Sequence, residues 1–223
     1  MKPIPLMLAM AALSFVPFAL LMVTCFVRIS VVLSILRSAI GAPQVPPTQV
    51  LTGLALVLTL AVMAPTGERM VAAFAPVFPS LAAAADADLA SGKVVAALGT
   101  AAARAREPLR EFLLAHTVPR DRATFHALAL KMRAPEERAG VTDRDLAVVV
   151  PAFVTSELRR AFVIRFLLFI PFLVIVMVVA NLLLALGMHM LSPTTVSLPF
   201  KLLLFVVADG WTLVVRGLME SYL

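Results

Sequence analysis

The chain has 223 residues, of which 61% are apolar and only 14% are charged, whereas a soluble domain usually has about half apolar and a quarter charged residues. This composition excludes an ordinary soluble domain and predicts an integral membrane protein or part of one. The net charge is +6, but no dense basic run is interleaved with aromatic residues, so we expect no nucleic-acid binding and interpret the cations as setting orientation in a membrane.

The first apolar stretch begins close to the N-terminus. Residues Pro3 to Val27 carry no charge, and this run exceeds the about 7 to 15 residues of a signal-peptide core, so we interpret it as a retained membrane segment. Apolar residues continue from Ile29 to Leu36, between Arg28 and Arg37. If one helix runs on to Gly41, that apolar face needs another protein surface to cover it.

A connector rich in proline separates this stretch from a second one. Ala42 to Pro47 reads APQVPP and is predicted to be extended. Thr48 is a candidate N-cap for a helix from Gln49 to Met63, which Pro65 and Gly67 should end. Residues 1–67 are therefore predicted to form an apolar helical hairpin.

The composition changes abruptly at Glu68. Thirteen of the nineteen Lys and Arg residues, and eleven of the thirteen Asp and Glu residues, fall between Glu68 and Arg160, which predicts a water-facing domain over residues 68–160. Apolar residues recur there at the three-to-four spacing of amphipathic helices. We expect a loose or helical lead-in over residues 81–90 and a helix that breaks at Pro108.

Three signals predict where the later helices of this domain begin. Asp121 can cap one of them. Thr142 with Asp145 resembles a capping box, although Asp is the shorter and weaker partner in that motif. Pro151 is expected to start the helix that leads into the last apolar part of the chain.

The longest run without charge is the 35 residues between Arg165 and Lys201. Its first part, Phe166 to Leu186, is long enough for a hydrocarbon layer that needs about 20 apolar residues. Pro171 should kink this helix. Residues 161–223 are predicted to form a second apolar hairpin.

A loop interrupts this run. Gly187 should end the helix in a left-handed conformation, and Pro193 and Pro199 should delay the next helix until about residue 199. Between them lie Met188, His189 and Met190, where a membrane protein normally places polar residues. From the residues alone, these are either ordinary packing methionines or a soft apolar constriction.

The last segment carries an acidic residue, Asp209, well inside an apolar stretch. Such a group is costly unless it is paired or hydrated, so it is either a functional site or half of a structural pair. Arg216 lies on the same helical face but about 10 Å away, so a partner must come from another helix or subunit. Trp211 and Tyr222 are candidates for interfacial anchors.

These features predict an all-α fold in which two apolar, membrane-type helical hairpins flank a charged helical domain. Arg28 and Arg37 lie in the first hairpin connection and Lys201 at the end of the second. The positive-inside rule places these connections in the cytoplasm. The charged domain is therefore predicted to be extracytoplasmic.

Nothing in the sequence indicates catalysis, a cofactor or a metal site. His116, His126 and His189 have no ligand spacing such as HExxH, and Cys25 has no His nearby in the sequence. No phosphate-binding or dinucleotide-binding glycine pattern and no GxSxG motif occurs. We expect a protein that is not an enzyme.

Seven motifs are spread over nearly the whole chain. They are FVRI from Phe26, LSILRSAIG from Leu33, PPTQVLTGLAL from Pro46, PLREF from Pro108, VPAFVTSEL from Val150, GMHMLSP from Gly187 and SLPFKLLLFVVADGW from Ser197. Together they resemble one protein family, FliP/SctR, the export-gate proteins of flagellar and injectisome type III secretion. The last two motifs are the most specific.

This resemblance implies a ring, a pentamer of such subunits, joined by SctS/FliQ-like and SctT/FliR-like subunits in a helical arrangement that forms the entry of a channel for unfolded polypeptides. It implies an inner-membrane protein whose helices, once assembled, lie largely on the periplasmic side and against each other. It also implies that Met188, His189 and Met190 form the pore constriction, with Gly187 and Pro193 defining the loop. Arg28, Arg37, Lys201 and Asp209 are the polar residues expected to act in the membrane or in assembly.

Two residues depart from the family pattern. His189 stands where several members have Met or Gln, and Val176 stands where an acidic residue is common. The absence of an obvious cleaved leader favours the injectisome branch. The alternative is a stand-alone transporter or channel for a small solute, with Asp209 and Asn181 as polar intramembrane sites.

Overall fold

The computed structural model describes residues 17–41, 45–77 and 92–223, together with Met7, Ser14 and Phe15. In this part of the chain every regular element is helical, which confirms the all-α prediction. The α-helices are α1 (Phe26–Ile40), α2 (Thr48–Phe74), α3 (Gly92–His116), α4 (Pro119–Met132), α5 (Leu146–Ala185), α6 (Pro193–Val196), α7 (Leu198–Val207) and α8 (Gly210–Glu220), with 3-10 helices at Ala75–Val77 and Pro135–Gly140.

The chain divides into two compact units, Met1–Val62 with Glu157–Leu223, and Met63–Ser156. We call the first the apolar unit and the second the charged unit. The prediction that the chain has three parts, with bounds at residues 67 and 160, remains a prediction.

Helix α1 lies at the centre of the apolar unit. One side of it is buried, including Ile29, Val32 and Leu33, which are fully enclosed. Gly41 ends the helix in the left-handed conformation with φ 86°, where the missing Cβ avoids strain. The Sγ of Cys25, just before α1, approaches the carbonyl oxygen of Thr59 in α2 at 3.9 Å.

The chain returns past the end of α1 through α7. A Cβ built on Gly41 would lie 3.6 Å from Cδ1 of Leu198 and 3.7 Å from Nζ of Lys201. Helices α7 and α8 meet at a 60° bend. The Phe205 ring covers Gly210 after the bend and packs edge-on against Trp211 with centroids 5.4 Å apart.

The charged unit has its own small core. Phe112 and Leu113 of α3 are buried, and so is Phe153 in the first part of α5, whose ring centroid lies 5.9 Å from that of Phe112. Two polar contacts fix the start of α4. Ser156 donates a hydrogen bond to Asp121 at 2.9 Å and accepts one from the backbone N–H of Val118 at 2.9 Å.

Within the described residues, two helices are long and apolar enough to cross a membrane, Thr48–Ala73 and Leu146–Ala185. A third span results if the bent pair Pro193–Val207 and Gly210–Glu220 is counted as one. Only 11% of the most apolar stretch of α5 is buried within the subunit. Lipid or another protein must therefore cover that helix.

Several predicted helix breaks are wrong. Pro65 and Pro108 lie inside α2 and α3, and Pro151 lies inside α5, which already begins at Leu146. A proline removes one backbone hydrogen bond, but a break in an apolar helix leaves several backbone groups without partners. This favours continuation of the apolar helices α2 and α5 past their prolines, and α3 of the charged unit continues past Pro108 as well.

Two further helix starts differ from the predictions. Helix α4 begins at Pro119 with Val118 as its N-cap, and Asp121 is buried in the first turn. Helical structure resumes after the loop at Pro193 instead of near residue 199, because Pro suits the first position of a helix, where its missing N–H costs nothing. The predictions for residues 42–44, for 81–90 and for part of the Pro3–Val27 segment fall outside the described residues.

Candidate functional site

The loop after α5 has a geometry fixed by glycine. Gly187 adopts φ 73°, as predicted. The N–H of Met188 donates to the carbonyl of Leu183 at 2.9 Å, and the N–H of Gly187 donates to that of Leu184 at 3.0 Å. These two bonds form a Schellman motif, which satisfies the last carbonyls of the helix and turns the chain sharply out of α5.

The side chains of this loop face outwards. Met190 is 100% exposed and Met188 is 48% exposed, and His189 is exposed as well. Pro193 then starts α6, with Ser192 as its N-cap. Two thioethers and an imidazole are thus presented at the tip of a helical hairpin, with Met188 half-exposed and Met190 fully exposed.

Two buried charged residues of the apolar unit, Arg28 and Glu157, form a cluster with Ser221 and Tyr222, which we call the Arg28 cluster. Arg28 donates from Nε to Oε2 of Glu157 at 2.9 Å and from Nη2 to Oε1, and it donates from Nη1 to the Ser221 hydroxyl at 2.7 Å. The side chains of Arg28 and Glu157 are 1% and 0% exposed. A bidentate pair of this kind is among the stronger side-chain interactions.

Tyr222 closes the Arg28 cluster. Its hydroxyl donates to Oε2 of Glu157, and its ring lies 4.0 Å from the Arg28 guanidinium carbon in a cation–π contact. Burial, and secondarily the carboxylate of Glu157, raises the pKa of the Tyr222 hydroxyl far above its usual value. The hydroxyl therefore keeps its proton and donates a hydrogen bond to Glu157, and the role of Tyr222 as an interfacial anchor stays a prediction.

Two other predicted cations lie at the opposite end of α1. Arg37 donates to the Thr48 hydroxyl at 2.9 Å. Lys201 is 8% exposed and lies beside Gly41, and no ion pair to it occurs in the part of the chain that the structure describes. The C-terminal end of α1 carries partial negative charge, which stabilises an ammonium group at this place.

Asp209 occupies the bend between α7 and α8 with φ 48°. As predicted, it does not contact Arg216, which instead pairs with Glu220 at 2.6 Å. The Asp209 carboxylate makes no capping hydrogen bond. Asn181, the other polar residue considered for transport, is exposed on α5 and does not line the groove that contains Asp209.

The sequence analysis missed Glu157, Ser221 and the role of Tyr222. A signal was present, because Glu157 is the one acidic residue in the 40 residues of α5, and Arg28 is the first charged residue after Lys2. An arginine in one apolar helix and a single acidic residue in another indicate a buried ion pair. No group of three or more His, Cys, Asp or Glu side chains that could hold a metal ion is found among the described residues.

An all-α chain with several long apolar helices and an exposed methionine loop is, by class, a membrane component of a larger assembly. Comparison with known proteins defines this class further: the chain belongs to the FliP family, whose model matches residues 9–218. The family and its relatives make this chain a component of a type III secretion or flagellar export apparatus and an inner-membrane protein.

The relatives come from both kinds of system. The chain is 42% identical to the "Hypersensitivity response secretion protein HrcR" of Ralstonia nicotianae, over 95% of this chain and 93% of that protein. It is 43% identical to the "Flagellar biosynthetic protein FliP" of Bacillus subtilis, over 98% and 91% respectively. It is 43% identical to "Pathogenicity-related ORF2" of Xanthomonas campestris, over 97% and 95%. Because these identities are nearly the same, they do not distinguish the injectisome branch from the flagellar branch. The assignment to the injectisome branch therefore stays a prediction.

Proposed function

We propose that the chain is a pore-forming core subunit of the export gate, part of the channel through which unfolded proteins cross the bacterial inner membrane. The observation that carries this proposal is the outward-facing loop of Met188, His189 and Met190 at the tip of a hairpin. Exposed apolar side chains outside the core of the described subunit indicate a surface that contacts other chains.

Methionine suits a seal around a polypeptide. A channel wide enough for an unfolded chain leaks ions when idle unless an apolar constriction excludes water. The thioether has three rotatable bonds and a polarisable sulfur, so it adapts to varied side chains. The Schellman motif at Gly187 and the helix start at Pro193 fix the loop, while the side chains stay free to move.

A seal of this kind needs several copies. We propose a homo-oligomeric ring, a pentamer, joined by SctS/FliQ-like and SctT/FliR-like subunits. Support comes from α5, whose apolar surface is almost entirely uncovered within one subunit. The same proposal has the charged unit outside the cytoplasm and the chain multi-pass by sequence. The assembled helices are displaced towards the periplasmic side.

The test is the double variant Met188→Ala/Met190→Ala in the assembled complex. Shortening two apolar side chains should leave assembly intact and raise the resting conductance for small ions in planar bilayers. Met132→Ala is the matched control, because Met132 is 86% exposed but lies in α4 of the charged unit, and its conductance should equal that of the parent. Replacement of both loop methionines by Trp should obstruct export.

If the double Ala variant assembles, exports normally and conducts no more than the parent, the constriction lies elsewhere. The stand-alone transporter is not favoured, because the chain belongs to the FliP family and because Asn181 and Asp209 do not share a groove. A stable monomer that transports a solute by itself would overturn the proposal altogether.

A further inference from the structure

Three side chains that can bind a soft metal ion follow one another in the loop after α5. Met188, His189 and Met190 form the one place in the sequence where a histidine lies between two methionines. All three are exposed to some degree, Met190 completely and Met188 to 48%. The His189 ring makes no hydrogen bond or ion pair with any residue that the structure describes. Two sulfurs and a ring nitrogen are therefore available to coordinate an ion.

The backbone folds these residues into a tight turn. The N–H of His189 donates to the carbonyl of Gly187 at 3.0 Å, and the N–H of Leu191 donates to that of Met188 at 3.5 Å. The second bond closes a β-turn, whose first and last Cα atoms lie less than about 7 Å apart. The three side chains leave this turn from adjacent residues, and the three rotatable bonds of each methionine let both sulfurs reach an ion held by the imidazole.

The ligand types select the metal. Thioethers are soft, uncharged ligands that favour Cu(I), and imidazole binds copper as well. The uncharged run between Arg165 and Lys201 contains no carboxylate and no thiol, so the loop offers no negative charge to a divalent ion. We propose that Met188, His189 and Met190 of one subunit bind one Cu(I) ion through two sulfurs and one ring nitrogen.

This site differs from the zinc sites that the histidine spacing excludes. Zinc is held by Cys, His, Asp and Glu, and His189 is the only ligand of that kind in the loop. The two methionines complete the set, and a pattern such as HExxH cannot reveal them. All three ligands belong to one chain, so the site needs no particular arrangement of neighbouring subunits.

A bound ion would stiffen the loop. The methionines adapt to a passing polypeptide only while their side chains rotate freely, and coordination fixes them around the ion. Each ion also adds one positive charge to a constriction that works by being apolar. Cu(I) should therefore inhibit export, and its removal by a chelator should restore export. The metal site depends on the loop alone, whereas this effect on export rests on the proposed function.

The test is titration of the full chain in its assembled complex with Cu(I), kept reduced by ascorbate, against a competing Cu(I) chelator. A Cys25→Ala background removes the only thiol of this chain. We expect one ion per subunit. X-ray absorption at the copper edge should show both sulfur and nitrogen ligands.

Met188→Leu combined with Met190→Leu separates coordination from sealing, because leucine is apolar and of similar volume but has no sulfur. This double variant should keep the resting conductance of the parent. It should weaken Cu(I) binding by at least the roughly 10- to 100-fold that loss of a second-shell contact costs. His189→Gln should also weaken binding, whereas His189→Met supplies a third thioether and should retain it. Met132→Leu is the control, because Met132 is 86% exposed but lies in α4.

Export from membrane vesicles is the second readout. Cu(I) should slow export by the parent, while the double Leu variant should export at the same rate with and without Cu(I). Equal Cu(I) binding by the parent and the double Leu variant, or a copper site without sulfur ligands, overturns the metal site and leaves the proposed function standing. Binding through the loop that leaves export unchanged supports the metal site and contradicts the assignment of the constriction to this loop.

Discussion

Arg28 and Glu157 lie 129 residues apart in the sequence and form a bidentate ion pair that is almost completely buried. The pair joins the first turn of α1 to the first third of α5, and Tyr222 adds the chain beyond α8 to it. Three distant segments of the apolar unit therefore meet at one carboxylate.

Removing one partner of this pair should be costly. Glu157→Gln leaves a buried guanidinium without its counter-charge, and we expect a loss of about 3 to 5 kcal/mol in the free energy of unfolding. Thermal unfolding of the detergent-solubilised protein measures this loss.

The matched variant replaces three polar members of the Arg28 cluster by apolar residues at once. Arg28→Met, Glu157→Leu and Tyr222→Phe together should recover most of the stability, because a hydrophobic replacement of a buried pair is often neutral or stabilising. A triple variant less stable than Glu157→Gln would show that the pair contributes more than the avoidance of an unpaired charge.

Gly210 tests the bend between α7 and α8. A Cβ at this position would lie 2.2 Å from the Phe205 ring, so Gly210→Ala must displace the ring and should destabilise the protein by about 1 to 3 kcal/mol, as overpacking does. Adding Phe205→Leu should relieve the clash. Gly53→Ala is the control, because a Cβ there meets nothing within 4 Å and Ala favours the helix. Equal melting temperatures for both Ala variants would contradict the packing at the bend.

Asp145 gives a prediction about pH. The backbone N–H of Thr142, and then its hydroxyl, donate hydrogen bonds that lower the pKa of the Asp145 carboxyl below its usual value of 3.8. A carboxyl with a lowered folded-state pKa stabilises the fold at pH above the unfolded-state value, and this stabilisation is lost as the pH falls through the folded-state value. Protection of the start of α5 should therefore decrease below about pH 4.

Hydrogen exchange of the Val148 and Val149 amides reports on this region, because both donate to the Asp145 carbonyl at 2.8 Å. Asp145→Asn should lower their protection factors at pH 6 and make no difference near pH 2. Asp143→Asn, two residues away, is the control and should not affect these amides. An effect of Asp145→Asn that is the same at both pH values would exclude the carboxylate as the cause.

The orientation of the charged unit can be tested by labelling. Single cysteines introduced at exposed positions such as Ala123 or Met132, in a Cys25→Ala background, should react with membrane-impermeant reagents added to spheroplasts, because the positive-inside rule predicts that the unit lies outside the cytoplasm. A cysteine at Met190 in the assembled complex is the comparison. Reaction at Ala123 only after the inner membrane is broken would show the inverse orientation.

Local signals predicted some parts of this structure well. Gly41 and Gly187 end their helices in the left-handed conformation, because a single missing Cβ decides that geometry whatever the surroundings. The hydrogen bonds between Thr142 and Asp145 were likewise predictable from three residues of spacing. These features depend on a few neighbouring residues alone.

The prolines were misleading because their effect depends on the environment. A proline readily ends a helix where water can satisfy the freed backbone groups, but Pro65 and Pro151 lie in apolar helices that continue. The Arg28 cluster was out of reach for another reason, since no periodicity links residues separated by 129 positions. Only the rarity of charge in α1 and α5 marked the two residues.

The Arg28 cluster also sets an order on biosynthesis. At 5 to 20 residues per second, Glu157 is added about 6 to 26 s after Arg28, and Tyr222 about 3 to 13 s after that. During the first interval the arginine has no acidic partner in the nascent chain before Glu68. The segment that contains Arg28 therefore reaches the membrane while the positive charge of Arg28 has no acidic partner. It becomes part of the interior of the subunit only after α5 and the residues beyond α8 have been synthesised.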